Sequence, residues 1–233
     1  MSEFKPPKIA IGMPVGSGSL PWLTAMSLMN TVRACDKEGV PIQIESIVGC
    51  SVVQWARSAI VEKFLQGDST HLFWIDSDIV WTLDDFFRVV GFGAVLDVVG
   101  AAYPFKTEAG GFLINLAGEP GQFEVNGLGC VKIKSMGLGF TLMRREVVER
   151  VAWTKPRVRD QANGIEYADV FRVDRTENGP RGEDIAFFDD IREQGFEVWL
   201  DPSINLGHIG PRIYRGDVID ALGLQGFATQ EKK

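Results

Sequence analysis

Hydrophobic positions in the first half of the chain follow two patterns: short unbroken runs, and longer stretches with helical spacing. Residues 8–15 form an apolar run that predicts a buried strand. The turn Gly16-Ser17-Gly18-Ser19 follows, and Pro21 suits the first turn of a helix over 22–38 that ends before Gly39. Residues 41–48 predict a second strand. Over 52–65, Val52, Val53, Ala56, Ile60, Phe64 and Leu65 fall on one broad helical face, and Gly67 stops the helix. The run His71-Leu72-Phe73-Trp74-Ile75 predicts a third strand, 83–90 a short helix and 97–103 another strand. This β-α-β-α-β-α-β alternation predicts a largely parallel sheet with helices on both faces.

The texture changes after residue 103. Residues 104–136 are glycine-rich, with strand-like pieces at 112–116, 122–125 and 131–134 that predict a smaller antiparallel subregion. Residues 141–151 predict a strand running into a helix. The polar stretch 153–182 carries Lys155, Arg157, Arg159, Arg172, Arg175 and Arg181 and predicts a long loop or flap. A helix over 183–194, closed by Gly195, leads to a last strand at 196–200. With no internal repeat or linker, the expectation is a single α/β domain with a mixed, mostly parallel central sheet. Its nucleotide half spans about 8–103, its acceptor half about 104–212 and a tail 213–233.

The third strand ends in Asp76-Ser77-Asp78. Strand interiors reject acids, whereas the carboxyl end of a strand in an α/β sheet faces a ligand crevice. Two hard oxygen ligands there suit Mg²⁺ or Mn²⁺, and such a cation suits a diphosphate. The same acids can also simply cap or turn the chain. Glu183 and Asp184 open a helix that continues Ile185-Ala186-Phe187-Phe188, so they lie where core meets solvent, a usual place for a base. The helix dipole alone would also favour acids at that end. Of the two histidines, His71 precedes a buried strand and reads as structural. His208 sits in Gly207-His208-Ile209-Gly210, where glycines permit a close approach of backbone to a ligand. The Gly16 to Pro21 turn is a poor dinucleotide fingerprint, because Pro21 replaces its third glycine.

Composition narrows the classes. The chain has 233 residues, 45% hydrophobic and 24% charged, as for ordinary soluble globular proteins. No apolar run approaches the about 20 residues of a membrane span. A net charge of −7 argues against a protein that binds nucleic acid mainly through bulk electrostatics, but leaves room for a local basic surface. The three cysteines are isolated and form neither a disulfide framework nor a zinc pattern. Residues 1–7 lack the apolar core of an export signal, so a cytoplasmic location is expected, or the host cytoplasm if a phage encodes the chain.

Taken in order, these pieces resemble a GT-A-type glycosyltransferase, especially its small bacterial and phage members. The resemblance covers about residues 8–212. It rests on the opening strand through Pro14-Val15, Arg57 in the second helix and Asp76-Ser77-Asp78. Further along it rests on the turn Ala101-Ala102-Tyr103-Pro104-Phe105-Lys106, on Met136-Gly137-Leu138-Gly139-Phe140, on the Glu183-Asp184 pair and on His208. Ala56-Arg57-Ser58 departs from the Arg-Asn that such enzymes often carry, so Arg57 is expected on the donor side without its exact contacts being fixed.

The resemblance implies a nucleotide-sugar donor, UDP-linked, and Mn²⁺ or Mg²⁺ as cofactor. Asp78 would bind the cation with His208 and Asp76, and Asp76 would also contact the ribose or sugar of the donor. Pro14 and Val15 would face the base, with Arg57 and Ser77 nearby. Asp184, with Glu183 as the alternative, would orient the acceptor hydroxyl or take its proton. Tyr103, Lys106, Arg157, Arg159 and Arg175 would lie on the acceptor side. The acceptor would be a glycan, a small molecule or hydroxymethylated DNA. Two other readings compete. A nucleotidyltransferase normally grips phosphate with a basic loop near the first turn, and Gly16 to Pro21 has no Lys or Arg. An inactive nucleotide-sugar-binding module would not need Asp76, Asp78, Asp184 and His208 all intact.

Overall fold

The computed structural model describes residues 6–118, 122–160, 164–177 and 179–224. Most of the segment read for an export signal (1–5) and the end of the expected tail (225–233) lie outside the described residues, as do 161–163 and 178 of the polar stretch. The elements in order are β1 (Ile9–Val15), α1 (Trp22–Glu38), β2 (Ile42–Val48), α2 (Val53–Gln66), β3 (His71–Ile75), β4 (Ile79–Val80), α3 (Leu83–Phe92) and β5 (Val98–Gly100). Then come β6 (Ile114–Leu116), β7 (Val131–Met136), β8 (Phe140–Arg144), α4 (Arg145–Trp153), β9 (Arg157–Arg159), β10 (Glu166–Ala168), β11 (Asp174–Thr176) and β12 (Gly179–Arg181). The chain continues through α5 (Glu183–Glu193), β13 (Val198–Leu200), β14 (Gly207–Ile209), β15 (Ile213–Tyr214) and α6 (Val218–Leu222).

The central sheet has eight strands in the order β2-β1-β3-β8-β5-β13-β7-β6. β1 pairs in parallel with β2 and β3, and β5 with β13; β8 and β7 run against the other six strands. The mixed, mostly parallel α/β architecture is as expected. The neighbour of β3 is not. β8 wedges antiparallel between β3 and β5, pairing Phe73 with Leu142 and Leu142 with Val99. Phe140–Arg144 is almost wholly buried and fills a central position, which local periodicity cannot order.

Side-chain alternation on β3 divides the core between the two faces. Leu72 and Trp74 pack with Ile60 and Phe64 of α2, Val147 and Val151 of α4, and Phe187 and Ile191 of α5. Phe73 and Ile75 pack with Cys35 of α1 and with Phe86 and Val89 of α3. The Phe73 and Phe86 rings stack at 5.1 Å, and Phe171 meets Trp74 edge-on at 5.5 Å. Each such buried ring stabilises the fold by about 1.5–3 kcal/mol relative to exposure. Gly12 makes room for this packing, since a Cβ there would lie 2.9 Å from the Trp74 ring. Helix ends follow local chemistry: Thr82 and Asp85 form a reciprocal capping box at α3, and Gly39 closes α1 at φ 67°. Beyond α2, Arg145 donates to the carbonyls of Phe64, Leu65 and Ser69.

The stretch 153–182 is not the bare loop its charge suggests. It forms two antiparallel hairpins, β9–β10 and β11–β12, and it buries Tyr167, Ala168, Val170 and Phe171. Arg172 and Lys155 pair with buried Asp190 of α5, which ties the segment down. Of the strand-like pieces expected between 104 and 136, residues 122–125 contribute only the bridge Val125–Val131. A separate three-stranded sheet has the order β15-β14-β4. Among the described residues, no helix is long and apolar enough to cross a membrane.

Candidate active site

The parallel strands β1, β2 and β3 all point their carboxyl ends at one cleft of about 310 Å³. Pro14, Gly16, Cys50, Ser51, Val53, Arg57, Asp76, Ser77 and Asp78 line it. Of the residues expected at a donor, Pro14, Arg57, Asp76, Ser77 and Asp78 therefore come together. Val15 does not: its side chain is buried in the core, so only its backbone can face a ligand. Gly16, Cys50, Ser51 and Val53 were not anticipated. The usable signal was that Gly49-Cys50-Ser51 follow the end of β2, which opens on the same crevice.

At the rear of the cleft lies Arg57, on the apolar face of α2 with its side chain 4% exposed. Its Nη2 donates to Asp76 Oδ1 at 2.8 Å, and its Nη1 donates to Asp184 Oδ1 at 2.8 Å and to Glu183 Oε1 at 3.1 Å. The three carboxylates are only 20%, 17% and 18% exposed, respectively. Burial opposes the Arg57 charge, but the charges of Asp76 and Asp184 outweigh it and hold the guanidinium even more firmly protonated than usual. Asp184 spends its second oxygen on the Leu138 N–H at 3.1 Å. Burial pushes its pKa up, but Arg57, Glu183 and that N–H push harder and leave it lowered. Glu183 goes the other way: burial and the adjacent Asp184 charge raise it above the ordinary glutamate range.

The segment Gly137-Leu138-Gly139, between β7 and β8, lets these groups meet. A Cβ at Gly139 would lie 2.4 Å from Asp76 Oδ2, and one at Gly137 would lie 2.6 Å from the Tyr103 hydroxyl. The Tyr103 hydroxyl donates to Asp76 Oδ2 at 3.3 Å and accepts from the Gly139 N–H at 3.2 Å. Burial, then the charges of Asp76 and Asp184, hold its pKa well above the usual phenol value. Both oxygens of Asp76 are thus engaged, by Arg57 and by Tyr103. Each oxygen keeps one further lone pair for a ligand.

Asp78 stands apart from that network. β4 follows it directly and pairs with β14, with His208 opposite Ile79, and the Ile209 N–H donates to the Asp78 carbonyl at 2.8 Å. This pairing carries His208 across the chain to within 3.6 Å of Asp78, Nε2 to Oδ1. His208 Nδ1 lies 2.9 Å from the Pro104 carbonyl, which can only accept, so Nδ1 bears the hydrogen. In the neutral ring Nε2 then presents a lone pair to a carboxylate oxygen, an arrangement that a cation between them would satisfy. The pair fits a divalent metal as two protein donors. Among the described residues, no group of three or more His, Cys, Asp or Glu side chains is arranged to hold a metal. Lys106 Nζ contacts Asp78 Oδ2. Burial works to raise the Asp78 pKa, but the adjoining His208 ring and the hydrogen bond and charge of Lys106 leave it lowered.

Tyr103 and Lys106, expected on the acceptor side, therefore sit on the two acids of the Asp-x-Asp motif. Arg157 and Arg159 lie on β9 and Arg175 on β11, all exposed. Arg157 pairs with Glu62 of α2 and with Glu166 of its own hairpin, so its charge is engaged there and not in the cleft.

No family model matches the chain, and no characterised protein matches it significantly in sequence. In three dimensions it is similar to A197 from STIV, with a TM-score of 0.53 and 21% identity over 87% of this chain and 86% of that one. It is also similar to GalNAc-T7, solved with UDP, GalNAc and Mn²⁺, with a TM-score of 0.54 and 10% identity. That match covers 91% of this chain and 45% of GalNAc-T7. At such identities the likeness speaks for the architecture: the chain has a GT-A-like α/β fold.

Proposed function

We propose that the chain is a metal-dependent glycosyltransferase that moves a sugar from a UDP-linked donor to an acceptor hydroxyl. The observation that carries this reading is the Asp78–His208 pair, with Nε2 and Oδ1 3.6 Å apart beside a cleft built from the ends of β1, β2 and β3. The UDP and Mn²⁺ bound by GalNAc-T7, which shares the fold, support it.

Asp78 and His208 would hold Mn²⁺ or Mg²⁺, which supplies Lewis-acid stabilisation of the departing diphosphate. Pro14, Gly16, Cys50 and Ser51 would bind the nucleoside. Asp76, fixed by Arg57 and Tyr103, would orient the ribose or sugar. Arg57 joins the donor side to the acceptor side, because the same guanidinium holds Asp76, Glu183 and Asp184. The proton-acceptor role expected of Asp184 passes to Glu183 in this reading. Asp184 has both oxygens committed and a lowered pKa, whereas Glu183 is the stronger base at neutral pH. The acceptor is assigned to a groove of about 700 Å³ lined by β6, β7, the β11–β12 hairpin and one face of α5, whose Arg181 and Ile185 neighbour the two acids along the chain.

Thiol labelling tests the donor site. Cys35 and Cys130 are buried, while Cys50 is half-buried and lines the cleft. UDP with Mn²⁺ should slow alkylation of Cys50 at least several-fold. Labelling at the same rate with and without saturating UDP and Mn²⁺ would contradict nucleotide binding at this cleft.

A further inference from the structure

Lys106 is placed as if it were part of the cation site. It lies in the loop that follows β5, which is closed by the bridge between Pro104 and Phe112 and by the Phe105 N–H donating to the Gly111 carbonyl at 2.8 Å. The same loop supplies the Pro104 carbonyl that sets the His208 tautomer. The aliphatic stem of Lys106 crosses Gly210: a Cβ at that glycine would lie 3.2 Å from Lys106 Cδ and 3.7 Å from Cγ. The stem thus runs along bare backbone to bring Nζ onto Asp78 Oδ2, while Oδ1 faces His208. Lys106 and Asp78 are about equally exposed, at 34% and 33%, so the ammonium is neither buried nor free.

One carboxylate thus faces two claimants. A divalent cation between Asp78 and His208 needs the charge that Lys106 already neutralises, and it would sit beside a second positive group. Both cations fit together only if the ammonium finds another anion. A nucleoside diphosphate in the adjoining cleft would be that anion, because phosphate oxygens accept charge-assisted bonds from a lysine at least as well as a carboxylate does. We propose that Lys106 is a built-in cation at Asp78 that a divalent metal must displace, and that the diphosphate of the donor drives the exchange by taking the ammonium. The proposal rests on the reading of Asp78 and His208 as a metal site. Metal and nucleotide then bind with positive cooperativity, and by linkage each strengthens the other by the same factor. The site would stay largely metal-free until a donor arrives.

The test is Mn²⁺ binding followed by electron paramagnetic resonance of the free ion, with and without UDP, corrected for Mn²⁺ held by UDP in solution. Wild type and K106M are compared. K106M should bind Mn²⁺ alone about two- to fivefold more tightly, the scale expected for freeing one partly exposed charge pair. Its enhancement by UDP should shrink by a similar factor. Equal Mn²⁺ affinities of the two proteins without UDP, with Mn²⁺ still bound in its presence, would overturn the role of Lys106 and leave the metal site standing. Failure of both proteins to bind Mn²⁺ even with UDP would overturn the metal site itself, and the proposal with it.

Discussion

Replacing Arg57 by methionine removes the one cation shared by three carboxylates. The methionine stem can fill much of the space on the apolar face of α2, so the loss is chiefly electrostatic. Asp76, Glu183 and Asp184 would keep their low exposure with no positive group at 2.8–3.1 Å. Breaking a buried pair in this way costs about 3–5 kcal/mol. For a chain of this size, each kcal/mol lowers Tm by about 2–4 °C, so R57M should melt about 6–20 °C below wild type at pH 8. The pH dependence has a definite sign. Without Arg57 the Glu183 and Asp184 carboxylates must rise in pKa in the folded state, so folding takes up protons and the variant regains stability as pH falls. Thermal unfolding by circular dichroism at pH 8 and pH 5 should therefore show a smaller deficit at pH 5. R57K, which keeps the charge but not the fork, should fall between the two. A loss under about 2 °C at pH 8, or a larger deficit at pH 5, would refute the assignment of Arg57 as the charge-balancing hub.

Two further substitutions separate neighbouring roles. E183Q should cut turnover about a hundredfold or more with a fold as stable as wild type. Because burial and Asp184 raise the Glu183 pKa, and the base must be ionised, wild-type turnover should fall with decreasing pH along a limb above the ordinary glutamate range. E183Q should lack that limb; its persistence would assign it elsewhere. D184N should instead lower Tm by several degrees, since it weakens the hold on Arg57 and on the Leu138 N–H, and an unchanged Tm would count against that role. G139A should lower both Tm and turnover, because its Cβ would lie 2.4 Å from an oxygen of Asp76, whose displacement breaks the contacts to Arg57 and Tyr103. A fully active G139A would show that Asp76 need not sit there.

The parts of this account that could be read along the chain are those set by local pattern. Residues 71–75 are buried on both faces, so an unbroken apolar run ending in acids announces both the central strand and its ligand-facing end. Other features arise only between distant segments. β4 is two residues long, Ile79 and Val80, too short to be recognised, yet its pairing with β14 is what delivers His208 to Asp78. Phe171 and Tyr167 lie among charged neighbours that mask their burial, so the polar stretch read as loop. The place of β8 in the sheet has no local signature at all. Arg57 sits on the same helical face as Ala56, Ile60 and Phe64, where a charge needs partners, and paired glycines at 137 and 139 interrupt a strand pattern where other groups approach the backbone, so both carry a local trace of the site.

The most direct measurement of the central claim is release of UDP from a panel of UDP-sugars, by wild type and by D78A, with Mn²⁺ and with excess chelator. Wild type should release UDP from at least one donor in Mn²⁺ and stop in chelator, while D78A should be inactive with its melting transition retained. Full turnover in chelator, turnover by D78A at the wild-type rate, or no release from any donor would contradict the account.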